Sequence, residues 1–200
     1  MGIMTTSSSK KEDRRIRKTR QQIEQAFVEL MLKKPVQEIT VMELSERADI
    51  NRGTFYLHYN DIYDLLSTME TNLLSGLKET LTHRSQEEIK KDPALKFIDL
   101  FQFLYDHRKI SYIVLNHQRD QKFLETAKSA LQESAFQTFQ ALYGPGNQRE
   151  YDCFFTFGIS GCIGLAQQWL ASGCQESPSE MGHKCNDYLE YGRSILRQVN

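Results

Sequence analysis

TVMELSERADINRGTFYLHYNDIYDLL, from Thr40 to Leu66, decides the reading of this 200-residue chain. Thr40 and Glu43 form a capping box, in which the threonine hydroxyl accepts the Glu43 amide hydrogen and the Glu43 carboxylate reaches back. The short helix after it turns Leu44 and Ala48 inward and ends at Asp49-Ile50-Asn51. Asn51 is a good N-cap for a second short helix with Phe55 and Tyr59 on its inner face. Asn60-Asp61 breaks that helix, and Asp61 with Asp64 caps a longer one, where Ile62, Leu66, Met69, Leu73, Leu77 and Leu81 keep a helical stripe. Two short helices joined by a tight turn, the second led by small polar side chains, make a helix-turn-helix. Its second helix enters the major groove of DNA with its N-terminal residues on base edges.

The side chains at that end suit the task. Arg52 is long enough to reach guanine O6 and N7, and Thr54 can bond a base or touch a thymine methyl. Gly53 lets the backbone come close, while Tyr56 and His58 lie opposite the core-facing Phe55 and Tyr59 and can bond phosphates. Thr40 and its helix N-terminus offer amide hydrogens to another phosphate.

Outward from this stretch the chain reads as all-α, with about nine helices, no alternating strand pattern and no internal repeat. Residues 1–12 are Ser/Thr/Lys-rich without apolar period and are expected to be a flexible basic arm. From Asp13 a helix carries Ile16, Ile23, Ala26, Phe27, Leu30 and Met31 inward until Pro35 closes it. Asp92-Pro93 opens a helix with Phe97, Leu100, Phe101 and Leu104, followed by a less regular stretch around His107 to Gln118. Another helix runs from about Asp120 to Tyr143, ended by Gly144-Pro145-Gly146. The next spans roughly Arg149 to Ser172, with Gly158, Gly161 and Gly164 spaced to let another helix approach. The last opens with a capping box, Ser177 and Glu180, and carries the stripe Met181, Cys185, Tyr188, Gly192, Ile195, Val199.

Charge is spread unevenly under a net −1. Lys10, Lys11, Arg14, Arg15, Arg17, Lys18 and Arg20 face only Glu12 and Asp13, so a positive end sits on a mildly acidic body. That suggests a polyanion held at the N-terminal end. Cys153, Cys162, Cys174 and Cys185 lie far apart and read as reduced thiols of a cytoplasmic protein. Cys153 to Gln175 carries no charge, yet its Gln, Ser, Thr and Gly residues favour a buried helix over a membrane span. His183-x-Cys185 does not put two ligands on one helix face, and no nucleophile elbow or phosphate-binding glycine loop appears. No enzyme, metal or cofactor is expected.

The segment Arg17 to Leu66 resembles the DNA-binding domain of the tetracycline-repressor (TetR) family. The matching pieces are Thr19-Arg20-x-x-Ile23-x-x-Ala26-Phe27, Ile39-Thr40-Val41 with Leu44 and Ala48, Asn51-Arg52-Gly53-Thr54-Phe55-Tyr56-x-His58-Tyr59, and Leu65-Leu66. The resemblance implies a helix-turn-helix domain over residues 13–73 and a larger effector-binding and dimerisation domain over 74–200. It puts Arg52, Gly53 and Thr54 on bases and Tyr56, His58 and Thr40 on the DNA backbone. Met42 and Ile62 stand where the family often has basic residues, and Arg17 and Arg20 of the arm are candidates to supply the missing grip. The segment Trp169-Leu170-Ala171-Ser172-Gly173 with Ser177-Pro178-x-Glu180-Met181 is similar to a subgroup that includes dihydroxyacetone-kinase regulators.

The expected function is therefore a bacterial homodimeric repressor that binds a palindromic operator in double-stranded DNA and is released by a small-molecule effector. The dimer would form through the last two helices, with no membrane partner. Phe101, Tyr105, Tyr112, Asn116, Phe154 and Trp169 are the candidate effector-binding residues, aromatic walls with a polar group among the middle helices. The competing reading is a regulator or co-activator controlled by a protein partner, with no small-molecule pocket.

Overall fold

A computed structural model of the chain describes residues 6–116, 121–143 and 148–196, and all the regular structure among them is helical. Ten α-helices follow one another: α1 (Thr6–Met31), α2 (Val41–Arg47), α3 (Arg52–Tyr56), α4 (Ile62–Thr82), α5 (Gln86–Lys91), α6 (Ala94–Asp106), α7 (Arg108–Asn116), α8 (Gln121–Tyr143), α9 (Gln148–Ala171) and α10 (Pro178–Leu196). A 3-10 turn at Val36–Glu38 links α1 to α2. The chain forms two compact units, Met1–Thr71 and Asn72–Asn200, which part inside α4.

In the first unit Ile23, Phe27, Leu44, Phe55 and Leu65 are completely buried. Side chains of this size contribute about 1.5–3 kcal/mol each when removed from water. Two ion pairs tie α2 to α1 and to the turn after it: Arg47 Nε donates to Glu29 Oε2 at 2.8 Å, and Lys34 Nζ to Glu43 Oε2 at 2.6 Å. The second pair alters the expected capping box. The Thr40 hydroxyl accepts the Glu43 amide at 3.2 Å, but the Glu43 carboxylate turns to the Lys34 ammonium. A charged donor outcompetes a neutral backbone amide for it.

Two further expectations are corrected. Residues 6–12 of the expected flexible arm belong to α1, which begins at Thr6 rather than Asp13. Residues 6–13 hold no Gly or Pro, and extending a helix already nucleated by a buried stripe costs little per residue. Residues 1–5 of that arm, the Gly144-Pro145-Gly146 break and Val199 lie outside the described residues. The stretch after His107 is regular, forming α7, with Ser111, Ile113, Val114 and Leu115 buried. That near-continuous apolar run hides its period. The short α5 makes the tenth helix, capped by a full Ser85/Glu88 box with bonds of 2.9 and 3.3 Å.

The second unit packs Leu73, Leu77, Leu100, Phe101, Trp169 and Cys185, with others, into one core. The α9 helix ends in a Schellman motif. Gly173 adopts φ +81°, Cys174 N–H reaches the Trp169 carbonyl at 2.9 Å, and Gly173 N–H reaches Leu170 at 3.2 Å. The expected Ser177/Glu180 box opens α10, with bonds of 2.8 and 3.2 Å. Gly182 then lets α10 lie against the backbone of α6, where a Cβ would stand 2.6 Å from the Ile98 nitrogen. Backbone cannot swing aside as a side-chain tip can. Gly182→Ala should therefore lose about 1–3 kcal/mol of stability in urea denaturation, despite alanine's better helix propensity.

Candidate functional site

The α3 helix is only five residues long, so its neighbours must hold it. The Asn51 side chain caps it by accepting the Gly53 amide hydrogen at 2.8 Å. The turn before it passes through Asp49 at φ +53°, a left-handed conformation that aspartate tolerates better than most residues. Behind the helix, Phe55 is fully buried and Tyr59 nearly so, their rings 5.8 Å apart. The Tyr59 hydroxyl donates to Glu24 Oε1 on α1 at 3.0 Å. Burial, then the Glu24 charge, push the Tyr59 phenol well above its ordinary range, so it stays a donor.

The opposite side of α3 is open. Arg52 and Gly53 are exposed, Thr54 is half-buried, and Tyr56 is 58% exposed. Gly53 has room for a side chain, a Cβ meeting only Asn51 Oδ1 at 3.5 Å. Thr40, Arg17 and Arg20 are exposed, and His58 is half-buried. Burial, and then the charge of Arg20, hold the His58 imidazole below 6.5, so Arg20 of α1 acts on the end of α3. Among the described residues Arg52 carries no ion pair, whereas Lys34 and Arg47 are committed to carboxylates. Sequence reasoning overlooked Leu57, 82% exposed beside His58, and Tyr63, 54% exposed at the start of α4. Their off-period position relative to Phe55 and Tyr59 was the available signal. Ile62 is 6% exposed and fills the core, while Met42 is half exposed.

The second unit holds a cavity of about 150 Å³ among α5, α6, α8, α9 and α10. Its walls are mostly apolar, including Phe97, Leu100, Leu131, Phe154, Phe155 and Ile159. Polar groups enter through Lys96 on α6, Ser134 and Thr138 on α8, and Asn186 and Glu190 on α10. Cys162 also lines it, its Sγ 2.8 Å from that of Cys185. A smaller void of about 50 Å³ lies beside Leu104, Ser111 and Phe123. Among the described residues no cluster of three or more His, Cys, Asp or Glu could hold a metal, and no helix is long and apolar enough to cross a membrane.

A TetR-type family model described as "Transcriptional regulator C-terminal region" matches residues 91–191, half of the chain. The chain belongs to the TetR family of transcriptional regulators. A curated relative, the uncharacterised HTH-type transcriptional regulator YxbF of Bacillus subtilis (strain 168), is 26% identical over 113 residues. That match takes in 52% of this chain and spans only 28% of the relative's length. Two solved structures of similar fold are the dihydroxyacetone kinase operon activator DhaS and FadR from Bacillus subtilis in complex with stearoyl-CoA. DhaS matches with TM-score 0.61 and 18% identity over 88% of this chain and 97% of that one. FadR matches with 0.63 and 16% over 84% and 96%.

Of the effector residues expected for this TetR-family chain, Phe154 alone lines the larger cavity. Phe101 and Trp169 are core, packed edge to face at 5.3 Å, with Trp169 Nε1 donating to the Glu176 carbonyl at 3.0 Å. Tyr105 is exposed, with the Arg108 guanidinium 5.1 Å from its ring centre. Asn116 donates to the Tyr112 carbonyl at 3.2 Å, and both lie away from the cavity wall. Helical spacing reports which residues face inward, but not where inward-facing side chains leave space. Lys96, Ser134 and Thr138 were missed. Lys96 sits inside an apolar helix, and Ser134 and Thr138 stand four residues apart on α8, a spacing that puts them on one face.

The site also makes stability pH-dependent. With its folded value held below 6.5, His58 contributes stability that is full above 6.5 and lost as pH falls through the folded value, because the unfolded chain protonates first. His58→Gln should show a smaller loss of stability than the parent between pH 7.5 and 5 in urea titrations.

Proposed function

We propose that this TetR-family regulator is a homodimeric repressor, in which residues 13–73 bind DNA and residues 74–200 bind an effector and form the dimer. The observation that carries the reading is α3: a short helix pinned by Phe55 and Tyr59, with Arg52, Thr54 and Tyr56 turned away from the core. Arg52, Gly53 and Thr54 would meet base edges, and Tyr56, His58 and Thr40 would meet phosphates. Arg17 and Arg20, exposed on α1, would supply backbone contacts that the buried Ile62 cannot make.

The outer faces of α9 and α10 support a dimer formed through these two helices. Phe157 is 73% exposed, Tyr188 59% and Tyr191 75%. Gly161 and Gly164 share the Phe157 face, and a Cβ at either would meet nothing within 4 Å. Large apolar side chains beside a glycine stripe suit the close approach of a second copy. A two-fold dimer presents two copies of α3 and so favours a palindromic operator. The cavity among the middle helices supports a small-molecule effector, as does the stearoyl-CoA held by the FadR neighbour. Binding there would favour a state with lower affinity for the operator. The DhaS neighbour is named an operon activator, which supports an activating role as the alternative to repression.

Selection of bound sequences from random DNA should return a palindrome. In mobility shifts Arg52→Ala should weaken operator binding roughly tenfold to a hundredfold, leaving non-specific binding nearly unchanged. Retained sequence preference in Arg52→Ala would remove that residue from the reading surface. Separately, Phe157→Glu should convert a dimer to a monomer in sedimentation analysis; an unaltered dimer places the interface elsewhere.

A further inference from the structure

Lys96 brings a cation to the cavity of the second unit. Lys96 Nζ donates to Ser134 Oγ at 2.8 Å and to Thr138 Oγ1. Both hydroxyls direct their own hydrogens to backbone carbonyls: Ser134 to Leu81 at 3.4 Å, and Thr138 to Ser134 at 2.8 Å. Their lone pairs are what they offer the ammonium. An ammonium has three N–H donors, so one is left over. Among the described residues Lys96 forms no ion pair, and the Glu190 carboxylate lines the same cavity. Burial pushes the Lys96 ammonium below the ordinary lysine value. A charge in apolar surroundings is costly until an opposite charge meets it.

We infer that the cavity takes an amphipathic carboxylic acid, its head group on Lys96 and its apolar body against Phe97, Leu100, Leu131, Phe154 and Phe155. The inference rests on the reading of this cavity as the effector site. A single negative charge neutralises a single cation, and a carboxylate oxygen accepts the remaining N–H in a charge-assisted bond. A cationic amphiphile would repel Lys96. A neutral one would leave the charge unpaired. If Lys96 only ties α6 to α8 through the two hydroxyls, the head group's charge makes no difference.

Isothermal titration of the full chain with straight-chain acids from hexanoate to palmitate, and with the alcohols, amines and alkyl phosphates of matching length, separates these cases. The acid should bind roughly tenfold or more tightly than its alcohol, and the amine weakest. Lys96→Met, which keeps the stem and removes the charge, should bring the acid down to the alcohol, whereas Lys96→Arg should keep the preference. Should Lys96→Met not fold, the parent's acid-to-alcohol ratio and Lys96→Arg still decide. Equal binding of acid and alcohol by the parent, or an acid preference surviving in Lys96→Met, overturns the inference but leaves the cavity as a ligand site. Tighter binding of alkyl phosphates than of acids overturns the carboxylate head. If nothing in the series binds the parent, the inference falls together with the effector reading beneath it.

Discussion

A five-residue helix cannot hold itself together. Closing its first turn fixes several residues for one hydrogen bond, and α3 is too short to recover that cost by elongation. Its conformation is therefore imposed from outside. Phe55 and Tyr59 supply the buried face, Tyr59 fixes its bearing through Glu24, and Asn51 satisfies an amide at the open end. The same arrangement frees the other side. With Phe55 and Tyr59 anchoring α3 from behind and Asn51 capping its end, Arg52 and Tyr56 stay exposed on the other side. On the proposed function, this lets the reading residues vary without unfolding the reader.

The second unit follows a different logic. Its helices are long, and their position is set by how closely they approach one another. At Gly182 the approach is as close as backbone allows. On α9, Gly158 is covered by Leu189, while Gly161 and Gly164 are open. One glycine stripe thus divides between contact inside the chain and an open face, which on the proposed function would meet a second copy. The Lys96 network lies between such contacts, where α6 and α8 stand far enough apart to leave a cavity.

What was legible in the sequence was local. The Thr40 hydroxyl cap and the caps at Asn51 and Ser177 depend on residues two or three apart and form as expected. The inward positions of Leu44, Ala48, Phe55 and Tyr59 follow from spacing alone. What was missed depends on distant partners. Glu43 leaves its capping box for Lys34, nine residues earlier in the chain. Lys96 meets Ser134 and Thr138, which the sequence places 38 and 42 residues away. A cavity is harder still to foresee, because it is defined by side chains that fail to meet. Phe101 and Trp169 have the composition of a pocket wall and instead pack against each other.

The pairing of Lys34 with Glu43 and Arg47 with Glu29 bears on how such a regulator would meet the ionic conditions of a cell. Salt sensitivity of DNA binding scales with the number of phosphates neutralised, because each releases condensed counterions. Two basic residues of the helix-turn-helix segment are already neutralised within the protein, and Met42 and Ile62 add none. On the proposed function the cations left to displace counterions are Arg52 and the basic residues of α1, Arg17 and Arg20 among them. Sensitivity of operator occupancy to the ionic state of the cell would then be carried by α1 rather than by the helix-turn-helix itself.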